Sequence, residues 1–332
     1  MTTVAQDHEG EPVLEPDLPI CDPHHHLWDF EASRYLLPEL LADLTSGHLI
    51  ESTVFVECGA FYRAAGPEPM KFVGETEFVG GVAAMAASGR YGPVLACEGI
   101  VGRADLSAGS GVDEVLQAHV RAGNGRFKGI RHAGAYDPSP EIRRSHTSPP
   151  PGLYASSGFQ EGFARLAEHG LSFEAWQYHP QIGEVIELAD AFPTTSIVLN
   201  HVGGPLGIGP YAGRRNEVFD VWRPAILDLA RRDNVFVKLG GLGMTICGFG
   251  FHRREPGPGS EELAGAWRPY VETCIEAFGP GRSMFESNFP VDRASCDYRT
   301  LWNALKRLAA GASDDEKAAL FRGSARRFYR LD

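Results

Sequence analysis

Asp22-Pro23-His24-His25-His26-Leu27-Trp28-Asp29 decides the fold, because it joins a short apolar run to two imidazoles at alternate positions. Leu18-Pro19-Ile20-Cys21 reads as a buried strand arriving from the N-terminus. Side chains at i and i+2 of a strand point the same way, so His24 and His26 face one centre and His25 faces away. Neutral imidazole nitrogens suit zinc and similar divalent ions. A bare HxH is more often a hydrogen-bonded strand end than a metal site. Its place at the C-terminal end of the first of eight strands is where barrel enzymes keep their chemistry.

Working outward, apolar runs recur with helical stretches between them, the signature of repeated βα units around a parallel sheet. Strands are expected over 19–22, 53–57, 94–100, 127–131, 172–176, 196–200, 235–239 and 283–286. Helices are expected over 75–88, 112–121, 158–169, 182–191, 217–232, 261–278 and 298–310. A last amphipathic helix, 314–328, has Ser313 as its N-cap. Eight such units predict a single (β/α)8 TIM barrel over 18–332, preceded by a flexible tail over 1–17. Three Gly/Pro-rich stretches (133–157, 203–216 and 240–259) each follow a strand and precede its helix. They are therefore read as lids or pocket walls on the top face.

Global composition agrees with a soluble enzyme. The 332 residues carry a net charge of -12, which argues against a nucleic-acid or anionic-membrane surface and leaves room for a local basic pocket. No run reaches the roughly 18 apolar residues of a membrane span. The six cysteines are scattered without a CxxC pair, which points to reduced thiols and a cytoplasmic setting. The expected partner is a small molecule, with a homo-oligomer open.

The remaining strand ends carry polar groups in a set order. Lys128-Gly129-Ile130-Arg131-His132 ends the fourth and Phe173-Glu174-Ala175-Trp176 the fifth. Asn200-His201 ends the sixth and Lys238-Leu239-Gly240-Gly241 the seventh. Glu286-Ser287-Asn288-Phe289-Pro290-Val291-Asp292 ends the eighth. With Asp22-x-His24-x-His26, this set resembles the amidohydrolase superfamily, and within it the amidohydrolase-2, sugar-lactonase-like branch, over nearly the whole chain. The resemblance implies a distorted barrel and water-dependent cleavage of a C–O or C–N bond, often in a lactone. It also implies a divalent metal, zinc foremost, on His24, His26 and His201, although some relatives act without metal. Decarboxylation or hydration on the same barrel stays open, as does a binding protein that has lost turnover.

One departure stands out. Relatives end the eighth strand in Ser-Asp-Trp-Pro, whereas this chain has Ser287-Asn288-Phe289-Pro290. An amide orients water or offers an oxygen but cannot take a proton near neutral pH. The base is then sought among Glu174, Glu286, Asp292 and Glu57, each with a salt bridge to Lys128, Arg131 or Lys238 as its plain alternative; Glu174 is preferred as ligand or base. Arg131 is expected to hold an anionic part of the substrate, with Arg103 second and Trp28 as pocket wall. His132, His179 and His25 are read as supporting residues, and His48, His119 and His169 as surface histidines.

Overall fold

A computed structural model describes residues 11–331. Eight parallel strands form one sheet whose spatial order is their order along the chain. They are β1 (Ile20–His25), β2 (Ile50–Val56), β3 (Leu95–Gly102), β4 (Phe127–Arg131), β5 (Ser172–Ala175), β6 (Ile197–Leu199), β7 (Val235–Leu239) and β8 (Ser283–Phe285). Helices lie between consecutive strands, so the expected (β/α)8 architecture is what the chain adopts. Half of these strands are buried along their whole length and the others at all but one or two positions, which explains why they do not alternate between apolar and polar.

Closure of the barrel runs through the opening motif. His25 bridges Phe289, the Asn288 amide donates to the His24 carbonyl at 2.9 Å, and the His26 amide donates to the Phe289 carbonyl at 2.8 Å. Asp22 ties the same seam: its Oδ1 accepts the Ser287 amide at 3.0 Å and its Oδ2 accepts the Tyr298 hydroxyl at 3.0 Å. The histidine strand is thus hydrogen-bonded to the strand end that carries Asn288.

The last helix is not one piece. It runs Asp314–Ala318, widens into a π-turn over Ala319–Gly323 and resumes over Ser324–Tyr329. Ser313 does cap it, in a reciprocal box with Glu316. Its end plugs the barrel floor: Ala325, Phe328, Tyr329 and Leu331 pack on Cys21, Val54, Val56, Val101, Val198 and Met284. A short hairpin (Trp28–Phe30 with Ser33–Tyr35) and a helix (Leu37–Leu44) precede β2, and neither is visible in hydrophobic periodicity. Residues 11–17 are not the loose tail expected. The Leu14 amide donates to Asn303 at 2.9 Å and Lys306 donates to the Leu14 carbonyl at 2.9 Å. The rest of that tail, 1–10, lies outside the described residues. Among the described residues, no helix is long and apolar enough to cross a membrane.

The three long loops meet over the mouth and share a small apolar cluster, Ala135, Ile142, Tyr178 and Leu206, flanked by Trp176, Ile208, Tyr211 and Ile246. Because Asp22 accepts from three buried donors, the His24 and Ser287 amides and the Tyr298 hydroxyl, Asp22→Ala leaves them buried and unpaired. At about 1–3 kcal/mol for each orphaned group, the substitution should lower the unfolding free energy by a few kcal/mol. Urea denaturation measures this, and an unchanged midpoint contradicts the role given to the seam.

Candidate active site

Alternation along β1 turns His25 away from His24 and His26, but the group whose ligand atoms converge is His24, His201 and Glu286 and leaves out His26, which was expected as a ligand. His24 and His26 lie with ring centroids 5.0 Å apart, and His201, from the end of β6, lies 4.5 Å from His24. His25 points elsewhere, its Nε2 meeting the Thr53 hydroxyl at 2.8 Å. Glu286, just past β8, reaches across to both: Oε1 is 2.7 Å from His201 Nδ1 and Oε2 is 2.8 Å from His24 Nδ1. The latter contact is too poorly aligned to be a hydrogen bond, and Oε2 is buried without one. Ligand atoms of His24, His201 and Glu286 all fall within 4.8 Å of one another. Two imidazole nitrogens and an under-satisfied buried carboxylate oxygen are a donor set that fits a divalent ion.

The protonation states suit such a site. Burial, with Lys238 beside His24 and Arg131 beside His201, pushes both imidazoles well below their ordinary pKa, so both are neutral and offer lone pairs. His26 behaves likewise, and its Nδ1 lies 2.7 Å from the Val56 carbonyl. A carbonyl only accepts, so Nδ1 carries the proton and Nε2 keeps the lone pair. Burial raises the Glu286 carboxyl to about 8, so its ionised form calls for a nearby cation.

Two of the four carboxylate candidates are committed elsewhere. Glu174, expected as ligand or base, takes Lys238 Nζ at 2.8 Å and an Asn200 amide hydrogen on Oε2, while the Tyr329 hydroxyl holds Oε1. It is therefore the partner of a buried ion pair and stands outside the His24–His201–Glu286 group. Glu57 takes Arg131 Nε at 2.7 Å and His146 Nε2 at 2.8 Å. Burial would raise this carboxyl, but His146 and Arg131 hold it far below the usual range. The expectation that Arg131 presents an open fork to substrate is corrected by the same contacts. Its Nε and Nη2 are held by Glu57, and Nη1 faces His24 Nε2 at 3.3 Å. Lys238 Nζ lies 3.2 Å from the other ring nitrogen of His24.

Asn288 has φ +53° and His201 also has φ +53°, left-handed conformations that cost non-glycine residues about 1–3 kcal/mol. Such strain persists where surrounding contacts fix it. Asn288 Nδ2 donates to Asp292 at 2.8 Å, leaving Oδ1 buried with no partner. Asp292 also accepts the Gly243 amide at 2.9 Å, and burial lifts its pKa to about 8. Trp28, expected as a pocket wall, stacks on His26 at 6.0 Å and 19°, with its indole N–H held by Ser33. Trp176 packs edge-on against His201 at 4.8 Å. His132 and His179 accept loop amides, from Leu206 in the case of His179, as supporting residues do. His48 and His119, expected at the surface, are buried: His119 bridges Thr76 and the Arg103 carbonyl.

Sequence reasoning missed His146, which hides in a loop, and the Gly240-Gly241 pair. A Cβ on Gly241, at φ +67°, would lie 2.4 Å from His201 Nδ1, and one on Gly240 would lie 2.4 Å from Glu286 Cγ. Only glycine lets β7 end this close to the cluster. Gly241→Ala should therefore displace His201 while the barrel stays folded, with turnover falling on the order of a hundredfold, the cost of about 1 Å of misplacement. Steady-state rates beside a thermal melt check this. For the ion pair, Lys238→Met strands Glu174 and should cost about 3–5 kcal/mol. Adding Glu174→Gln should recover much of that loss in the same denaturation assay, and failure to recover removes the pairing argument.

Comparison with known proteins shows the family. The amidohydrolase family model (Amidohydro_2) matches residues 21–331. An uncharacterized protein of Sinorhizobium fredii, y4mH, is 33% identical over 345 residues, covering 95% of this chain and 99% of its own length. An L-fucono-1,5-lactonase of Burkholderia multivorans is 24% identical, with 93% of this chain and 95% of that protein covered. An amidohydrolase crystal structure from Burkholderia multivorans with bound zinc superposes with a TM-score of 0.71 at 21% identity, covering 94% of this chain and 99% of that one. With the histidine strand, the His201 strand end and the eighth-strand Glu286 gathered at one barrel mouth, the chain belongs to the amidohydrolase family and is an enzyme of it.

Proposed function

We propose that this hydrolase opens a lactone ring. The observation that carries the reading is the convergence of His24, His201 and Glu286 within 4.8 Å at the closed seam of the barrel mouth. The likeness to an L-fucono-1,5-lactonase over nearly the full length supports the choice of a cyclic ester. A divalent ion, zinc by donor chemistry, would be held by His24, His201 and Glu286 and would supply Lewis-acid polarisation of the ester carbonyl. Glu286 fixes the His201 ring by holding Nδ1, which turns Nε2 outward.

The attacking water needs an acceptor to orient it and a base to take its proton. Asn288 Oδ1 is the unpartnered buried acceptor, held in place because Asp292 grips the other end of the amide. Asp292, which grips the same amide, is the carboxylate assigned as proton acceptor, taking the proton directly or through one further water and not across the amide, with a pKa lifted by burial toward the working range. In balance, one water adds across the acyl C–O bond. Its hydroxyl joins the carbonyl carbon and the remaining proton ends on the released ring oxygen.

Acid release from a panel of sugar lactones, followed in a pH-stat, tests the reaction; silence across the panel rejects it. Asp292→Asn should lower kcat on the order of 10²–10⁴, whereas Glu174→Gln should act mainly on stability. Parent-like turnover by Asp292→Asn moves the base to Glu286. Elemental analysis of protein purified without chelator should find close to one divalent ion per chain, lost in His24→Ala. One observation favours a metal-free version: Lys238 and Arg131 flank the two His24 nitrogens at 3.2 and 3.3 Å and bring positive charge to the same place. Undiminished activity after chelation selects that version.

A further inference from the structure

We propose that Arg103 and Tyr62 form a recognition site for a carboxylate on the substrate, so that the preferred lactone is an acidic one. This rests on the hydrolase reading above and adds the substrate class to it.

The first argument is which cations at the mouth remain uncommitted. Lys238 is paired with Glu174 at 2.8 Å, Arg131 with Glu57 at 2.7 Å, and Arg63 with Glu77. Arg103, immediately after β3, has no carboxylate partner among the described residues. Its guanidinium lies 4.6 Å from the centre of the Phe72 ring, and its buried Nε makes no hydrogen bond. Stacking on an aromatic face fixes the plane of a guanidinium and leaves its donor edge open. The Arg103 carbonyl is itself pinned by His119 at 2.9 Å.

The second argument is what stands beside it. Tyr62 packs edge-on against the same Phe72, with centroids 5.1 Å apart. Its hydroxyl is buried against the Arg103 guanidinium, from which it can only accept, so its own O–H meets no acceptor. His146 closes the group: a Cβ on Gly59, at φ +82°, would be 3.4 Å from the His146 ring and 3.9 Å from the Tyr62 hydroxyl. Buried donors left unpaired cost about 1–3 kcal/mol each, and native structures rarely tolerate two side by side without a use. An acceptor with two oxygens in one plane satisfies both, which is the shape of a carboxylate.

The third argument is position. His146 touches Glu57, Glu57 touches Arg131, and Arg131 touches His24. The Arg103–Tyr62 pair thus stands on the side of the reacting centre where His146, Glu57 and Arg131 lead in turn to His24, and the Glu57 charge is already met by Arg131 and His146. A substrate that places its ester carbonyl near His24 can extend a second acidic group toward Arg103.

The test uses glucarolactone and gluconolactone of equal ring size, which differ at one terminus, carboxylate against hydroxymethyl. The parent enzyme should prefer glucarolactone in kcat/KM. Arg103→Gln and Tyr62→Phe should shrink that preference, the former on the order of ten- to a hundredfold as expected for a charge-assisted hydrogen bond, chiefly through KM. Arg103→Lys, which keeps the charge but not the fork, should fall between, and thermal melts identify any variant that fails to fold. A parent that prefers the neutral lactone, or a preference that survives both substitutions, overturns the proposal. If neither lactone is hydrolysed, the lactonase reading has failed separately. Calorimetry with glucarate then decides: binding to the parent that Arg103→Gln weakens upholds the carboxylate site, and equal or absent binding removes it.

Discussion

His24 stands between two cations, and each cation is held by its own buried carboxylate. Lys238 leans on Glu174 and one His24 nitrogen, and Arg131 leans on Glu57 and the other. Charges this deep are tolerated only in pairs, since an uncompensated one costs several kcal/mol. The pairing therefore fixes more than stability. It keeps the imidazole neutral, dictates its plane, and leaves Glu286 facing two histidines with no ion pair to a lysine or arginine among the described residues. Everything placed around the mouth, from the Gly240-Gly241 turn to the strained backbone at His201 and Asn288, accommodates that arrangement.

Much of the scaffold was legible in the chain itself because buried parallel strands have no solvent face to disguise them. The strands expected over Phe127–Arg131 and Val235–Leu239 coincide with the observed ones to the residue. The hairpin at Trp28 and the π-turn at Ala319 were not legible. The former is three residues a side and the latter keeps a helical pattern throughout, so neither changes the period of hydrophobicity. The site followed the same division. Residues on strands or one step past their ends, His24, His26 and Glu286, could be ranked by the two-residue repeat.

Partnership could not be read that way. Glu174 and Glu286 look alike in sequence, each a carboxylate at a strand end, yet one is claimed by Lys238, Asn200 and Tyr329 while the other faces two histidines. Register between neighbouring strands decides which carboxylate meets which cation, and register is a property of the closed barrel. The same holds for Arg131. A guanidinium at a strand end attracts attention as a ligand handle, but Glu57 across the β2–β4 side of the mouth consumes its fork. His146, carried by a loop rich in Pro and Ser, had no period to betray it.

The plug at the barrel floor ties the last helix after the eighth strand to the strand that opens the barrel. Tyr329 holds the Glu174 carboxylate that in turn holds Lys238 beside His24. Synthesis runs through the barrel from the histidine strand to this tyrosine, so the reactive histidines are made before the support that sets their charge. The last helix of the barrel acts as the completion step of the site, and a change at Tyr329 bears on chemistry at the opposite face of the barrel.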